Sequence, residues 1–433
     1  MGDTYCFGLK QHIGIKSRAI VKVDDLVKRG ALIAKSPEDS LGANLHTSIS
    51  GVVTRITDDY IEIKADEEQA EEYVPISGET KLDLIKAAGI VGMGGAGFPT
   101  DVKLGTDFKQ NGLVIINAAE CEPVLSHNEK SIEENPARVY NGLKYAMEVV
   151  NANKGIIAIK KKNIKAIQAI NEVIENDNIK VFSLEDIYPM GEERALIREV
   201  LGDVLEPTKL PLEVNCIVIN SETASRITDA IELKKPFITK DITVAGRLQN
   251  EELIQVFLDV PLGKSVQGVL EMAGGVNQEY GELIMGGPFT GSSTDLAQPI
   301  SKTSGGVIAT TPFLKESRPM GLLVCACGSD DKRLEEIAQK MGANVVGVEY
   351  CKQAQNIKGT LKCENPGKCP GQAQKVMALK SNGAQSLLIS NCTDCSNTVM
   401  SIAPKLKMTV YHCTDGALRA VNHKLIRKAK ISK

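Results

Sequence analysis

Residues 1–65 alternate apolar and polar positions over short runs. AIVKVDDLVKRGALIA and SISGVVTRITDDYIEIKAD each read as strand, Asp- or Gly-bearing turn, strand, the pattern of a small β-sandwich or barrel. Residues 66–80 (DEEQAEEYVPISGET) are acidic and read as a linker with at most one helical turn. From residue 81 the period lengthens. KLDLIKAAG is an amphipathic helix and LVIIN a short buried strand. PARVYNGLKYAMEVVN is a helix, GIIAIK a strand, KVFSL a strand, GEERALIREVLG a helix and VNCIVIN a strand. NIKAIQAINEVIEN is predicted to be a helix with Asn163 as N-cap and Ile164, Ile167, Ile170 and Ile174 on one face. Alternation of this kind predicts a mostly parallel α/β sheet over residues 81–232.

Residues 236–290 change again, to two strands (PFITKDITVAGR, ELIQVFLDVP) and one helix (LGKSVQGVLEMAGGV), an α+β piece of β-grasp outline followed by a GGPFTGSS loop. Residues 318–433 return to α/β alternation. The strands are GLLVCAC, NVVGVEYC, AQSLLIS and MTVYHC, and DGALRAVNHKLIRK is the last helix. The chain is therefore expected to be multidomain, with β and α/β parts, as its 433 residues suggest.

Composition narrows the function. The formal net charge is −3 and Trp is absent, so neither a basic footprint nor a base-stacking platform for nucleic acid is present. No apolar run reaches the ~18–20 residues of a membrane span. MGDTYCFGLKQHIG lacks the basic start and apolar core of a signal peptide. The expectation is a cytoplasmic protein, docked on a membrane only through partners.

The densest candidate chemistry is GIVGMGGAGFPTDVKLG at residues 89–105, followed by IINAAECEP. Gly92, Gly94 and Gly97 satisfy G-x-G-x-x-G, but a helical segment precedes them and Phe98-Pro99 follows, so the dinucleotide context fails. No Gly-Lys-Ser/Thr follows either, which removes the phosphate-loop reading. A glycine-rich turn between packed elements is one reading. The other is a loop whose bare N–H groups meet a phosphate, with the glycines clearing room for a flat ring. Asn117, Glu120 and Glu122 then stand at the carboxyl edge of the sheet, where α/β proteins bind ligands.

GMGGAGFPTDVKL with INAAECEP resembles the flavin-binding segments of the C subunit of the Rnf complex and, with Arg in place of Met93, of the flavin- and NADH-binding subunit of respiratory complex I. QHIGIKSRAIVKVDDLVKRGALIA, GANLHTSISGVV and IYPMGEERALIREVLG are similar to the same family, over most of residues 1–310. The resemblance implies a barrel-sandwich hybrid at 1–65, a Rossmann-like FMN/NADH domain at 81–232 and a soluble-ligand-binding β-grasp (SLBB) domain at 236–290. It implies an FMN loop of Gly92, Gly94, Gly95, Ala96, Gly97, Phe98 and Thr100. Lys103 would neutralise phosphate or ring charge, and Asn117 and Glu120 would bond the flavin. Glu122, Tyr188, Gly191, Glu192 and Glu193 would lie near NADH, with Glu120 and Glu122 in catalytic positions. Each acid has a plainer reading, as with Glu192 and Glu193 in a first helical turn.

Eight of the eleven cysteines (Cys325, Cys327, Cys351, Cys363, Cys369, Cys392, Cys395 and Cys413) crowd into the C-terminal quarter of the chain. In a reducing compartment that points to metal or redox chemistry. Several stand at strand ends, where parallel strands would bring sulfurs to one edge. Three readings stay open: an iron–sulfur cluster; a Cys392-x₂-Cys395 dithiol with a thiolate at a helix start; and zinc, with His412 beside Cys413. The other histidines, His12, His46, His127 and His423, have no partner spacing and read as structural. The C-x₂-C-x₂-C-x₃-C-P runs of the Rnf subunit are absent. The altered tail resembles that of the electron-transfer proteins associated with proline reductase. The expected activity is thus NADH oxidation through FMN and a cysteine centre to a reductase such as D-proline reductase. The alternatives are a peripheral subunit of a membrane Rnf pump and a non-catalytic adaptor.

Overall fold

The computed structural model describes residues 3–427. The N-terminal segment forms two small antiparallel sheets. One has Thr4–Gly8, Tyr60–Ala65, Gly51–Ile56 and Leu26–Val27 side by side; the other has Arg18–Ala19, Leu32–Lys35 and Leu45–His46. Alternation puts Phe7, Ile33, Ile61 and Ile63 inside with no exposed surface. Residues 66–80 form no helix and lie extended, with Tyr73 donating its hydroxyl to the Leu233 carbonyl at 3.0 Å.

Helix Lys81–Ala88 begins at a capping box. The Asp83 N–H donates to Thr80 Oγ1 at 3.1 Å and the Thr80 N–H to Asp83 Oδ2 at 3.0 Å. It ends on Gly89 at φ 69°, the left-handed closure that glycine adopts without strain. A four-stranded parallel sheet follows, in the order Ile179–Leu184, Lys154–Lys160, Leu113–Ala118, Cys216–Asn220. The chain builds outward from the Leu113 strand in one direction and then returns to its other side. The switch of direction therefore falls between Leu113–Ala118 and Cys216–Asn220, the place where such sheets open a ligand crevice.

Two expectations are corrected here, and one helix is added. Asn163 precedes helix Ile164–Val173, but its side chain makes no capping bond. Ile164 is 61% exposed and Ile170 is buried, so the apolar stripe is narrower than the isoleucine spacing suggested. A helix over His127–Glu134, too polar to show an apolar period, precedes helix Pro136–Val149.

The segment after 236 does not stop at 290. Its five-stranded sheet orders Ile254–Pro261, Thr239–Gly246, Gly306–Ala309, Leu283–Met285 and Ser292–Thr294, so part of the GGPFTGSS stretch is strand. Ile242, Val244, Val260, Val307 and Ala309 of this sheet share one continuous core with Phe7, Ile33, Val53 and Ile63 of the barrel. Segments on either side of the 81–232 domain in the sequence thus exclude water together. Arg226 of helix Ser221–Glu232 reaches into the same sheet, bonding Asp241 at 2.8 Å and Asp259 at 2.7 Å. Fully buried Lys302 joins the barrel and the 81–232 domain, donating to the Asn44 carbonyl at 2.5 Å and the Gly89 carbonyl at 2.7 Å.

The last unit is a second parallel sheet, ordered Val345–Tyr350, Met320–Val324, Ser386–Ile389, Thr409–His412. Its switch lies between Met320–Val324 and Ser386–Ile389. A polar hairpin, Ala354–Ile357 with Thr360–Cys363, interrupts the alternation. The last helix spans only Asp415–Ala420; residue 428 of its expected range lies outside the described residues.

Candidate functional site: two sheet crevices joined by an aromatic pair

The first crevice is built on paired strands. Asn117 and Asn220 are register partners at the carboxyl edge on either side of the switch. The Asn117 amide donates to the Gly191 carbonyl at 2.8 Å, tying the strand to the turn before helix Glu193–Leu201. Above this edge, residues 92–98 double back. The Gly92 N–H donates to the Phe98 carbonyl at 2.8 Å, and the Met93 N–H to Thr223 Oγ1 at 3.0 Å. Gly94 and Gly97 take φ of 74° and 73°. A Cβ on Gly97 would meet Gln11 O and His12 Cα at 3.0 Å, whereas one on Gly95 would meet nothing within 4 Å. The loop is thus pinned at its base and bare at its tip, where Gly94, Gly95 and Ala96 expose main chain.

Around the tip stand an exposed Phe98 ring, 37% accessible, and a buried Thr100 hydroxyl with no partner. Lys103 Nζ lies 3.1 Å from Glu193 Oε1 and 2.6 Å from the Val218 carbonyl. Asn117 is thus linked to Gly191 and Lys103 to Glu193, and Gly94 of the loop sits over the Asn220 amide at the same strand edge. The open space over Gly95 and the uncovered main chain at 94–96 suit an anionic, planar ligand such as FMN. Asn220 escapes the sequence reading because Asn before Ser-Glu-Thr looks like a plain helix cap, which it also is, accepting from the Glu222 N–H at 2.8 Å. Its place at the end of VNCIVIN, matching that of Asn117, is the missed signal.

Other candidate residues are placed differently. Glu120 accepts from the Asn128 N–H at 2.9 Å. Glu122 accepts from the N–H groups of Phe289 and Thr290 at 2.8 and 2.9 Å and from the Thr290 hydroxyl at 2.6 Å, clamping the 287–290 loop; burial raises its pKa. Both border a cavity of about 470 Å³ that also touches Lys160, Asn163, Tyr188 and Thr393. Glu192 is an N-cap, accepting from the Arg194 and Ala195 N–H groups. Tyr188 stacks on Phe289 with ring centroids 3.6 Å apart and planes 2° from parallel. Its hydroxyl donates to the Cys327 carbonyl, and burial holds it protonated. Tyr188 therefore belongs to the contact between the two sheets. Cys121 sits beside this turn, accepting from the Gly191 N–H at 3.3 Å, with its thiol pushed up to about 12 by burial.

The second crevice is lined with sulfur. Cys325 follows Met320–Val324, Cys351 follows Val345–Tyr350, and Cys392 follows Ser386–Ile389. Cys325 is electrostatically coupled to the thiols of Cys327, Cys351, Cys392 and Cys395, Cys327 also to Cys363 and Cys392, and Cys395 also to Cys369. Seven thiols thus form one connected basin. The Gln372 amide, fully buried, donates to Cys351, Cys369 and Cys395 sulfurs at 3.1, 3.7 and 3.5 Å. Cys392, the N-cap of helix Thr393–Ile402, is held below the ordinary thiol range by its bond with Cys325 first. Cys395 is pushed above that range, first by Cys325.

Cys413 stands apart from the basin. Its thiol meets Ser329 rather than sulfur, and burial raises it to about 12. His412 beside it meets the Asn391 carbonyl at 2.8 Å, Thr414 Oγ1 at 2.9 Å and the Cys413 sulfur at 3.6 Å. Among the described residues no group of three or more His, Cys, Asp or Glu is set to hold a single metal ion. A basin of seven thiols suits the all-sulfur ligation of an iron–sulfur cluster.

Fold and crevices define a two-centre α/β redox protein. The Nuo51 FMN-binding domain family matches residues 85–229, and the RnfC barrel sandwich hybrid domain matches residues 1–74. The chain is 34% identical over 328 residues to the C subunit of the proton-translocating ferredoxin:NAD(+) oxidoreductase complex of Clostridium ljungdahlii, covering 71% of each chain. It is 30% identical to the C subunit of the Na(+)-translocating ferredoxin:NAD(+) oxidoreductase complex of Acetobacterium woodii, over 69% of this chain and 71% of the relative. It is 35% identical to the cobalamin reductase PduS of Salmonella typhimurium over 57% of this chain, spanning about half (52%) of that relative. The chain belongs to the RnfC family and is an oxidoreductase with an FMN-binding domain. Among the described residues no helix is long and apolar enough to cross a membrane.

Proposed function

We propose that the chain is a cytoplasmic NADH-oxidising electron-transfer flavoprotein that passes electrons from the glycine-loop crevice to the thiol basin and on to a partner reductase. The observation that carries this reading is the juxtaposition of the two crevices. Tyr188, from the turn that leads to Gly191, stacks on Phe289 of the 239–309 segment and donates to the Cys327 carbonyl on the sulfur side.

The N–H groups at Gly94–Ala96 cup an anionic group, and Lys103 balances its charge. Asn117 and Asn220 offer polar groups at the sheet edge, and the Phe98 ring gives an apolar face at the mouth. FMN, when bound there, supplies hydride acceptance from NADH and release of the electrons. Glu120, Glu122 and Glu192 hold the surrounding turns in place. In the basin, Cys325, Cys351, Cys392, Cys395 and their neighbours supply thiolates for an iron–sulfur cluster, and Gln372 donates to three of those sulfurs. The tail, which departs from the ferredoxin runs of the Rnf subunit, supports a reductase of the D-proline reductase kind as acceptor.

A second reading, a peripheral subunit of a membrane ion-translocating complex, is favoured by the two relatives matched over 71% of their lengths. Anaerobic purification with flavin, iron and sulfide quantified tests the core of the proposal. Flavin absorbance should bleach on adding NADH; material that never retains flavin yet supports electron delivery sinks it and favours an adaptor. Fractionation with membranes separates the two partner readings.

A further inference from the structure

Among the sulfurs of the second crevice stands one amide. Gln372 has no exposed surface. Its Nε2 lies 3.1 Å from the Cys351 sulfur, 3.5 Å from that of Cys395 and 3.7 Å from that of Cys369. Its buried Oε1 has no partner among the described residues. A buried amide costs free energy unless it is bonded, and the partners this side chain has are sulfurs. Its N–H edge faces them, and a sulfur accepts more strongly as it gains negative charge. The backbone adds to the same effect. The Gly371 N–H donates to the Cys369 sulfur at 3.3 Å. Gln372 precedes helix Ala373–Ser381 and Cys392 precedes helix Thr393–Ile402, so two helices begin at the sulfurs with their positive ends. Cys351 and Cys395 are buried, so water gives them little help in bearing added charge, and fixed donors count for more in such surroundings.

We propose that Gln372 tunes the sulfur centre, its amide raising the reduction potential and so favouring the passage of electrons from the flavin side. The inference rests on the iron–sulfur reading above. Reduction adds one electron at a time, which NADH supplies through the flavin, and part of the added charge falls on the ligating sulfurs. The N–H groups of Gln372 interact more strongly with the more negative, reduced form than with the oxidised one, so the reduced form is stabilised and the potential rises. No covalent bond forms or breaks at Gln372, and it neither gives up nor takes a proton. Its part is to set the driving force, without holding the metal.

The test uses the full chain, purified anaerobically, with iron and sulfide quantified and the midpoint potential of the sulfur centre read by titration followed by electron paramagnetic resonance. Gln372→Met keeps the length and apolar stem of the side chain and removes both N–H donors. Its iron and sulfide per chain should equal those of the unaltered protein. Its midpoint potential should be more negative, and NADH should reduce a smaller fraction of the centre. Retained iron with an unshifted potential overturns the proposal. The unaltered chain decides without any variant. With ¹⁵N placed in the glutamine side-chain amides, the pulsed resonance spectrum of the reduced centre should show a ¹⁵N coupling, and its absence overturns the proposal. An unaltered chain that holds neither iron nor sulfide overturns this inference together with the iron–sulfur reading, whereas an unshifted potential in a loaded chain overturns this inference alone.

Discussion

Two parallel four-stranded sheets in this chain open crevices by the same topological device and fill them in opposite ways. Beside the 113–220 sheet the crevice is furnished mainly by backbone: a glycine-rich loop at 92–98, held by Thr223, next to two register-paired asparagines. At 320–412 it is furnished by side chains, with a cysteine after each of its four strands and three of those thiols in the basin. Topology supplies an address, and residue type decides the tenant. Bare N–H groups serve a large anion that arrives with its own chemistry; soft sulfurs serve a centre that is assembled in place.

That contrast can be broken first at its largest expected effect. Gly95→Asp adds a carboxylate to open space, so the fold should persist while flavin retention is lost; iron content should be unaltered. Equal loss of both would show the crevices to be one unit. Cys395→Ser is the mirror experiment, with iron and sulfide falling and NADH-bleachable flavin absorbance remaining. Next in size, Lys103→Met should weaken flavin binding by about 1–3 kcal/mol, the worth of a charge-assisted bond, read by flavin titration of the apoprotein. Tyr188→Leu removes the ring that joins the two halves. It should cost about 0.5–1.5 kcal/mol beyond lost area in thermal unfolding, and slow electron passage between the centres without changing either cofactor's content.

One further effect concerns pH. Burial lowers the Lys302 pKa to about 7. An unfolded lysine titrates near 10.4, so between these values the unfolded chain binds more protons and stability rises with pH. Between pH 7 and 9 the unaltered chain should therefore gain stability relative to Lys302→Met. A constant difference would show that Lys302 stays charged.

The two crevices were also unequally legible in the sequence. A backbone-only site must be written in glycine, so residues 92–97 announce themselves. A sulfur site must be written in cysteine, so the tail does too. What stayed hidden are pairings over long separations. Glu122 clamps a loop 167 positions away, and nothing local to NAAECEP separates a carboxylate that faces ligand from one that holds a loop. Tyr188 reads as a nucleotide neighbour until Phe289 is beneath it. The 354–363 hairpin is too polar to register against the α/β rhythm, and Cys413 shares its strand-end position with Cys325 while facing Ser329 rather than sulfur.

The core held jointly by the barrel and the 239–309 sheet bears on how the chain is made. Residues 4–65 leave the ribosome early, but Phe7, Val53 and Ile63 find their lasting apolar neighbours only when Val307 and Ala309 have emerged. While the whole flavin-side domain is being synthesised, the nascent barrel carries an uncovered oily flank, the kind of surface that chaperones bind and that draws neighbouring chains together. Expression of residues 1–235 alone should therefore yield aggregates, rescued when the 236–310 segment is supplied in the same cell.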